Sequence, residues 1–329
     1  MKENKIYFVD VTNRDGVQTS RLGLAKLQKT IINLMLDDMG ITQSEFGFPT
    51  TQHEINYLNG NLELVEHGVI SRTKLSGWMR GIASDVELSF KNVPKLKNIN
   101  LSQSTSEQMI NGKYMGKKTP DDIIKMTVEA VECAKSLGAE IIGVNAEDAS
   151  RSDIDFLIKY ARESKKAGAY RFRYCDTLGY EDPKTTYDRI YKIAKETQMP
   201  IELHYHNDLG MATACSIMGA KAAIDAGVDA YINTAINGMG ERAGNADLVS
   251  CLLAILKSAG FKNEYHVDPN IDLSKIWKLA KYTAYAFGVP IPINQPAVGD
   301  NAFAHESGIH ADGCLLYTSP SPRDISGSR

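Results

Sequence analysis

The chain of 329 residues lacks several features that would assign it to a specialised class of proteins. Its five cysteines are odd in number and form no CxxC pair, which is typical of reduced thiols rather than of a disulfide framework. No apolar run approaches the roughly 18 residues that span a membrane. A strand-like run begins at Ile6, which leaves no room for a signal peptide. We therefore expect a cytoplasmic globular protein without a membrane partner.

The chain also lacks a cluster of basic residues. Its 37 lysines and arginines are spread along the whole length, and with 40 acidic residues they give a formal net charge of −3. This balance argues against a nucleic-acid partner. The hydrophobic fraction of 43% is ordinary for a globular protein with a buried core.

Short β-branched runs alternate with longer amphipathic segments along the chain. Eight strands, each followed by a helix over about 260 residues, indicate a TIM (β/α)8 barrel, with a doubly wound open sheet as the alternative. Ser20, Thr119 and Ser152 are predicted N-caps, and Gly138 and Gly168 follow helix ends. The predicted strands are Ile6–Asp10, Thr42–Phe46, Thr73–Trp78, Asn98–Ser102, Glu140–Val144, Tyr170–Cys175, Ile201–His206 and Ala230–Thr234, and the helical patterns include Leu24–Leu36, Asp121–Ser136, Asp153–Ala167, Pro183–Glu196 and Met211–Ala226.

Three regions are predicted along the chain. Residues 1–265 form the barrel, and residues 266–313 form a linker and the start of a truncated small helical subdomain with a helix at Leu273–Phe287. Residues 314–329 are Ser/Pro-rich and without periodicity, so we expect them to be disordered; they resemble translated vector sequence.

The most informative stretch lies at the end of the seventh predicted strand. His204 and His206 are two residues apart, so on a strand they project to the same side and Tyr205 to the other. Two neighbouring imidazoles form half of a divalent-metal site. The alternative, two structural histidines, is open for the pair in isolation.

Other polar clusters follow strands one, five, six and eight. A barrel collects such residues at the C-terminal ends of its strands, where barrel enzymes have their active sites. The clusters therefore predict an active site on that face. They are Asn13–Gln18, Asn145–Asp148, Cys175–Thr177 and Asn237–Ala246.

From Lys5 to about Gly313 the chain resembles the metal-dependent Claisen-condensing synthases, a family that includes 2-isopropylmalate, homocitrate, citramalate and Re-type citrate synthases. The resemblance implies a TIM-barrel acyltransferase (EC 2.3.3.-) in amino-acid biosynthesis that condenses acetyl-CoA with a 2-oxo acid, giving a 2-hydroxy di- or tricarboxylic acid and CoA. It also implies a homodimer that exchanges its helical subdomains. The motifs are Arg14-Asp15-Gly16-x-Gln18 with Lys29, Ile201-x-x-His204-x-His206-Asn207-Asp208, Gly238-x-Gly240-Glu241-Arg242-Ala243-Gly244-Asn245, and His305–Gly313.

The resemblance assigns a divalent metal (Mg²⁺, Mn²⁺ or Zn²⁺) to Asp15, His204 and His206, with Asn245 as a further or water-linked ligand. A carboxylate and imidazoles without thiolate suit these ions, and a bound ion would polarise the keto carbon of the oxo acid. Asp15 taken alone is also compatible with an ordinary Asp-Gly turn.

The implied catalytic residues are Arg14, Glu147 and His310. Arg14 would stabilise developing oxyanions, although an ion pair under the barrel rim is its alternative. Glu147 has an alternative as the ion-pair partner of Arg151. The loop glycines Gly238, Gly240 and Gly244 would allow close backbone approach to the acyl-CoA thioester arm.

The oxo acid is predicted less directly. Homocitrate synthases hold the distal carboxylate of 2-oxoglutarate with an arginine on strand five, where this chain has Gly143 and Asn145. Glu202 matches a homocitrate-type position, whereas Gly143 and Asn145 suit oxaloacetate. These two features disagree; on the strength of Glu202 we predict a homocitrate synthase, with 2-isopropylmalate or Re-type citrate synthase as alternatives. Thr177 is expected to bind the substrate carboxylate or the nascent hydroxyl.

Two further classes stay open. A metal-dependent lyase or aldolase, similar to the 3-hydroxy-3-methylglutaryl-CoA lyases, would share the barrel and the metal ligands. Those lyases carry a cysteine in the glycine loop, and residues 238–245 contain none. The other alternative is an inactive truncated fragment.

Overall fold

The computed structural model describes residues 4–304, and its eight strands form one closed barrel in which every strand is parallel to its neighbours. Strands follow the chain order around the barrel. The last pairs with the first, with Ile6 opposite Ala230 and Asp10 opposite Thr234. This closure confirms the predicted TIM barrel and excludes the open sheet. The strands are β1 (Ile6–Asp10), β2 (Gln43–Gly47), β3 (Lys74–Arg80), β4 (Asn98–Ser104), β5 (Ile141–Glu147), β6 (Arg171–Asp176), β7 (Ile201–Tyr205) and β8 (Ala230–Thr234).

Ten α-helices in residues 4–304 surround the barrel. None of the helices in this range is long and apolar enough to cross a membrane. The helices are α1 (Lys26–Met39), α2 (Gln52–Glu66), α3 (Ala83–Asn92), α4 (Glu107–Tyr114), α5 (Pro120–Ser136), α6 (Ile154–Ala167), α7 (Pro183–Thr197), α8 (Ala212–Asp225), α9 (Leu248–Lys257) and α10 (Ile276–Phe287). Short 3-10 turns occupy Gly16–Gln18, Ala149–Arg151, Ile236–Gly238 and Leu273–Lys275.

Of the three predicted N-caps, one is confirmed. Thr119 caps α5, since its hydroxyl oxygen accepts from the Asp122 amide at 3.2 Å. The prediction that Ser20 caps a helix is wrong, because α1 begins only at Lys26. Ser152 is wrong by one residue, because the carboxylate of Asp153 accepts from the backbone amide three residues ahead and so caps α6.

The barrel interior is lined by polar and charged side chains. On β6, Phe172 packs outward against Tyr160 of α6, with ring centroids 6.2 Å apart. The alternation of a strand therefore turns Arg171 and Arg173 inward. These arginines meet the carboxylates of Glu45 on β2 and Glu202 on β7, and all four side chains are at most 1% exposed. This buried layer forms the floor beneath the C-terminal face of the barrel.

Beyond α9 the chain returns along the other end of the barrel. The Ile6 amide donates to the His266 carbonyl at 2.8 Å, and the Asp268 amide donates to the Ile6 carbonyl at 3.0 Å. The last helix, α10, is close to the turn after β8, where Asn237 donates to the Ala280 carbonyl at 2.9 Å. The predicted boundary at residue 265, the truncated subdomain and the tail at 314–329 stay predictions; residues 305–329 lie outside the described part.

Candidate active site

Three side chains that can ligate a metal converge at the C-terminal end of the barrel. Asp15 lies at the start of the 3-10 turn after β1, and His204 and His206 project together from the end of β7. The two Nε2 atoms are 3.3 Å apart, and they lie 3.8 Å and 3.9 Å from Oδ2 of Asp15. An ion about 2.1 Å from each ligand atom separates those atoms by about 3 to 3.5 Å. The three side chains therefore fit a divalent ion with little movement.

The protonation states of these groups also suit a metal. Burial lowers the pKa of His204 to about 3 and also lowers the pKa of His206, so both imidazoles are neutral at physiological pH. Burial alone would raise the pKa of Asp15, but the Arg14 guanidinium, the neighbouring imidazoles of His204 and His206 and the hydrogen bond from Asn245 together outweigh it and hold that pKa well below its usual range. One carboxylate and two neutral imidazoles result, which is the ligand form that metal binding requires.

Asn245 holds Asp15 in place. Its Nδ2 donates to Oδ2 of Asp15 at 2.7 Å and to the Met239 carbonyl at 3.0 Å. Its Oδ1 is buried and has no hydrogen-bond partner within residues 4–304. An unpaired buried oxygen beside the three ligand atoms suits the predicted role as a further or water-linked ligand.

Arg14 forms the ion pairs that its alternative description predicted, and its catalytic role stays a prediction. It lines the cavity above the barrel, and it is also paired, donating to Asp15 at 2.6 Å and to Glu45 at 2.5 Å. Its guanidinium carbon lies 5.5 Å from the centre of the Trp78 ring. The guanidinium is therefore fixed beside a metal ligand.

Glu147, at the end of β5, faces the same cavity. Its Oε2 accepts from Ser104 Oγ at 2.7 Å and pairs with Lys113 of α4. The alternative pairing with Arg151 is wrong, because the 3-10 turn at 149–151 directs Arg151 to Asp148 at 2.6 Å instead. Thr177 also lines the cavity.

These groups enclose a cavity of about 210 Å³. Seven predicted site residues line it: Arg14, Asp15, Asn145, Glu147, Thr177, His204 and His206. Six others had no predicted role: Gln18, Trp78, Ser102, Arg173, Cys175 and Glu241. Gln18, Cys175 and Glu241 lie within the polar clusters predicted at the strand ends.

The structure does not bring Gly143 and Glu202 to this cavity. Glu202 is fully buried below it, where it pairs with Arg171 and Arg173 and accepts from Asn233 at 2.6 Å. A Cβ at Gly143 would lie 2.0 Å from Oδ1 of Asn100, so this glycine makes room for an interior side chain. Both positions belong to the floor of the site.

A guanidinium from β6 lines the cavity, although β5 carries none. Arg173 is the register partner of Asn145 across the β5–β6 pair, and it lines the cavity. The sequence feature that could have identified Arg173 is the spacing Arg171-x-Arg173, because in a strand it puts both guanidinium groups on one face.

The glycine loop after β8 packs against itself and against Asn245. A Cβ at Gly244, where φ is +89°, would lie 1.9 Å from the Gly238 carbonyl oxygen. A Cβ at Gly240 would lie 2.2 Å from Nδ2 of Asn245. These glycines therefore shape the loop that holds Asn245, and their contact with acyl-CoA stays a prediction.

His310, the third predicted catalytic residue, lies outside the described residues.

Known proteins share both the sequence and the fold. A family described as HMGL-like matches residues 5–282. A citrate (Re)-synthase from Dehalococcoides mccartyi is 59% identical, over 94% of this chain and 75% of the relative. A 2-isopropylmalate synthase from Caldanaerobacter subterraneus is 40% identical, over 95% and 77%, and homocitrate synthase 1 from Nostoc is 33% identical, over 99% and 82%. A solved HMG-CoA lyase from Bacillus subtilis aligns with a TM-score of 0.67 at 17% identity, over 89% and 96%, which speaks to the fold alone.

Proposed function

Because this chain belongs to the HMGL-like family, we propose that it is an acyltransferase that condenses acetyl-CoA with a 2-oxo acid, and that this acid is oxaloacetate. The observation that carries the proposal is the cluster of Asp15, His204 and His206 on the rim of a polar cavity. The relatives named above at 33% to 59% identity are all synthases of 2-hydroxy acids by name.

In the proposed reaction the acetyl methyl group loses a proton and its carbon forms a bond to the keto carbon of the oxo acid. The keto oxygen takes up a proton and becomes a hydroxyl group, and water then cleaves the thioester to release CoA. A divalent ion held by Asp15, His204 and His206 would supply Lewis-acid polarisation of the keto group.

The chain's own residues supply the charges around this chemistry. Arg14 is fixed against Asp15 and Glu45 and presents a permanent positive charge near the keto oxygen. Glu147 is the carboxylate available to move a proton, and Ser104 and Lys113 orient it.

The charge balance of the site favours an oxo acid with two carboxylates. Arg14, Arg171 and Arg173 are offset by Asp15, Glu45 and Glu202 in direct ion pairs. A divalent ion would add two positive charges to this neutral set. Because uncompensated buried charge is costly, a dianion such as oxaloacetate suits the loaded site better than a monoanion such as pyruvate.

The similarity to named relatives and the contacts of Glu202 help to choose among the dicarboxylates. The chain shares 59% identity with a citrate (Re)-synthase and 33% with a homocitrate synthase. The prediction of homocitrate rested on Glu202. The carboxylate of Glu202 is already paired with Arg171 and Arg173, so it does not reach the substrate. We therefore put oxaloacetate ahead of 2-oxoglutarate. The cavity has too few apolar side chains to hold the isopropyl group of 2-oxoisovalerate.

The test is release of free thiol from acetyl-CoA with Mg²⁺ or Mn²⁺ present, across oxaloacetate, 2-oxoglutarate, pyruvate and 2-oxoisovalerate. We expect release with oxaloacetate, and its loss in Asp15→Asn. Asp121→Asn is a matched control, because Asp121 pairs with Lys159 on the surface at 2.7 Å. Thiol release with another oxo acid alone, or full activity in Asp15→Asn, would contradict the proposal.

The expected homodimer and cytoplasmic location stay predictions. Light scattering of the purified chain would measure the first, and fractionation of the source cells the second.

A further inference from the structure

One peptide group at the end of β5 is held from both sides. The carbonyl oxygen of Glu147 accepts from the amide of Thr105 at 3.0 Å and from its hydroxyl at 2.9 Å. The N–H of the same peptide group belongs to Asp148, and it donates to Oγ1 of Thr177 at 2.9 Å. Because a peptide group is planar, these contacts fix both of its ends at once. Glu147 and Thr177 line the cavity, so this peptide group joins two side chains of the candidate site.

The contact with Asp148 determines what the Thr177 hydroxyl can do. A hydroxyl group has one hydrogen to donate and two lone pairs that accept. The Asp148 N–H occupies one lone pair, so the hydroxyl hydrogen points elsewhere, and among residues 4–304 it has no acceptor. The main chain of Thr177 is held too, because Arg242 Nη2 donates to its carbonyl oxygen at 2.6 Å. The Thr177 hydroxyl is therefore set as a hydrogen-bond donor at the cavity wall.

Asp148 has a left-handed backbone, with φ +63° and ψ +37°. Most residues with a side chain avoid this conformation, and Asp and Asn tolerate it better than the others. A return of φ to the usual value near −60° would rotate the Glu147–Asp148 peptide group by roughly 120° relative to the turn that follows. The N–H would then no longer point at Thr177. The left-handed conformation is thus the feature that orients this N–H.

The carboxylate of Asp148 holds the backbone in this conformation. It is only 1% exposed. It accepts from Arg151 Nε at 3.0 Å and Nη2 at 2.6 Å, and also from the hydroxyl of Ser106. Ser106 is the N-cap of α4, the helix that carries Lys113 to Glu147. The carboxylate therefore fastens the turn after β5 to the start of α4.

We propose that Asp148 is a positioning residue, whose left-handed backbone directs its N–H to Thr177 and so makes the Thr177 hydroxyl a donor to the bound oxo acid. The inference rests on the proposed function, which places the oxo acid in this cavity. The side chain of Asp148 contacts Arg151 and Ser106, so Asp148 acts through Thr177. Once the hydroxyl is oriented otherwise, an oxygen of the buried acid loses its hydrogen bond, which weakens binding.

The test compares Asp148→Gly with Asp148→Ala. Both variants lose the carboxylate and its contacts, but Gly adopts the left-handed backbone freely, whereas the Cβ of Ala disfavours it. The comparison therefore isolates the backbone conformation. We expect the Kd for oxaloacetate, measured by isothermal titration calorimetry with Mg²⁺ present, to be roughly fivefold higher in Asp148→Ala than in Asp148→Gly. Asp148→Asn keeps a side chain that tolerates this backbone, so its Kd should stay within about threefold of the wild type.

A double-mutant cycle separates positioning from a structural role. Thr177→Val removes the hydroxyl that the Asp148 N–H orients. In that background Asp148→Gly and Asp148→Ala should bind oxaloacetate equally, whereas an effect through overall stability would persist. Gln198 is a matched control, because it is also left-handed, with φ +48°, and it lies at the exposed end of α7. Gln198→Gly and Gln198→Ala should differ in thermal stability and not in Kd.

Thiol release from acetyl-CoA, assayed in the same variants, distinguishes this inference from the proposed function. The expected difference in Kd without thiol release from any oxo acid would contradict the proposed reaction and leave the role of Asp148 supported. Equal Kd values for Asp148→Gly and Asp148→Ala, or a difference that persists in Thr177→Val, would overturn the role of Asp148 even with normal thiol release. So would a rise of more than about tenfold in Asp148→Asn, since Asn tolerates the left-handed backbone. A wild-type protein that does not bind oxaloacetate would overturn both.

Discussion

Replacing Glu45 with Gln should measurably destabilise the protein, because this carboxylate joins two arginines in the barrel interior. Glu45 is fully buried. It accepts from Arg14 at 2.5 Å, from Arg173 at 2.5 Å and 3.2 Å, and from Asn100 at 2.8 Å. The amide of Gln keeps the volume and removes the charge that balances the guanidinium groups.

The size of the effect follows from the pKa of this carboxyl. Burial alone would raise the pKa, but Arg14 and Arg173 outweigh it and lower the pKa from 4.5 to about 2. That difference corresponds to roughly 3 kcal/mol at neutral pH, since one pKa unit is about 1.4 kcal/mol. Because the folded pKa is depressed, this stabilisation is complete above the unfolded value and is lost as pH falls through about 2. The loss of one partner from a buried ion pair costs about 3 to 5 kcal/mol, which agrees with the value from the pKa difference.

Urea denaturation at pH 7.5, followed by circular dichroism, measures the free energy of unfolding. Glu140→Gln is a matched control, because Glu140 pairs with Lys97 at 3.5 Å with both side chains more than half exposed. We expect a loss of about 3 kcal/mol for Glu45→Gln and no more than about 1 kcal/mol for the control. Equal losses for the two variants would refute the argument that the interior ion pairs hold the barrel together.

Three further predictions concern other parts of the molecule. Burial raises the pKa of Asp10 to about 7, so between about pH 4 and 7 the folded state keeps a proton that the unfolded chain releases, and stability falls over that range. Asp10→Asn should therefore gain stability relative to the wild type from pH 5 to 7 in thermal melts and change little above about pH 8, and a constant difference from pH 5 to 7 would contradict this. Gly244→Ala should abolish thiol release, because its Cβ would lie 1.9 Å from the Gly238 carbonyl oxygen; wild-type activity would show that the loop shape is dispensable. Lys113→Met should lower kcat without changing metal affinity, because Lys113 pairs with Glu147; an unchanged kcat would remove Lys113 from the site.

The barrel and the metal cluster were predictable because both follow from local patterns. Strand alternation puts His204 and His206 on one side, and a barrel collects strand ends on one face. Asp15 meets the pair although almost 190 residues of chain lie between them, because β1 and β7 flank β8. The fold class places the histidine pair and the strand ends, whereas Asp15, which alone is compatible with an Asp-Gly turn, was assigned to the cluster by the family resemblance.

The position of Arg173 in the cavity was not predictable in the same way. The homocitrate-type arginine is expected on β5, where this chain has Gly143 and Asn145, whereas Arg173 enters the cavity from β6. Whether a charged side chain points into the barrel depends on the oppositely charged side chains that it meets there. A local sequence pattern does not identify those side chains. Glu202 was misjudged for the same reason: it neutralises Arg171 and Arg173 below the cavity.

The most direct test of the central claim is identification of the product formed from ¹³C-labelled acetyl-CoA and oxaloacetate by NMR, in metal-free protein before and after addition of Mn²⁺ or Mg²⁺, with the spectra taken after the ion is removed again. The account predicts labelled citrate only when the metal is present, and no labelled product from His206→Ala under either condition. Labelled citrate at full rate in the chelated protein, or from His206→Ala with the metal added, would contradict a metal-dependent condensation at Asp15, His204 and His206.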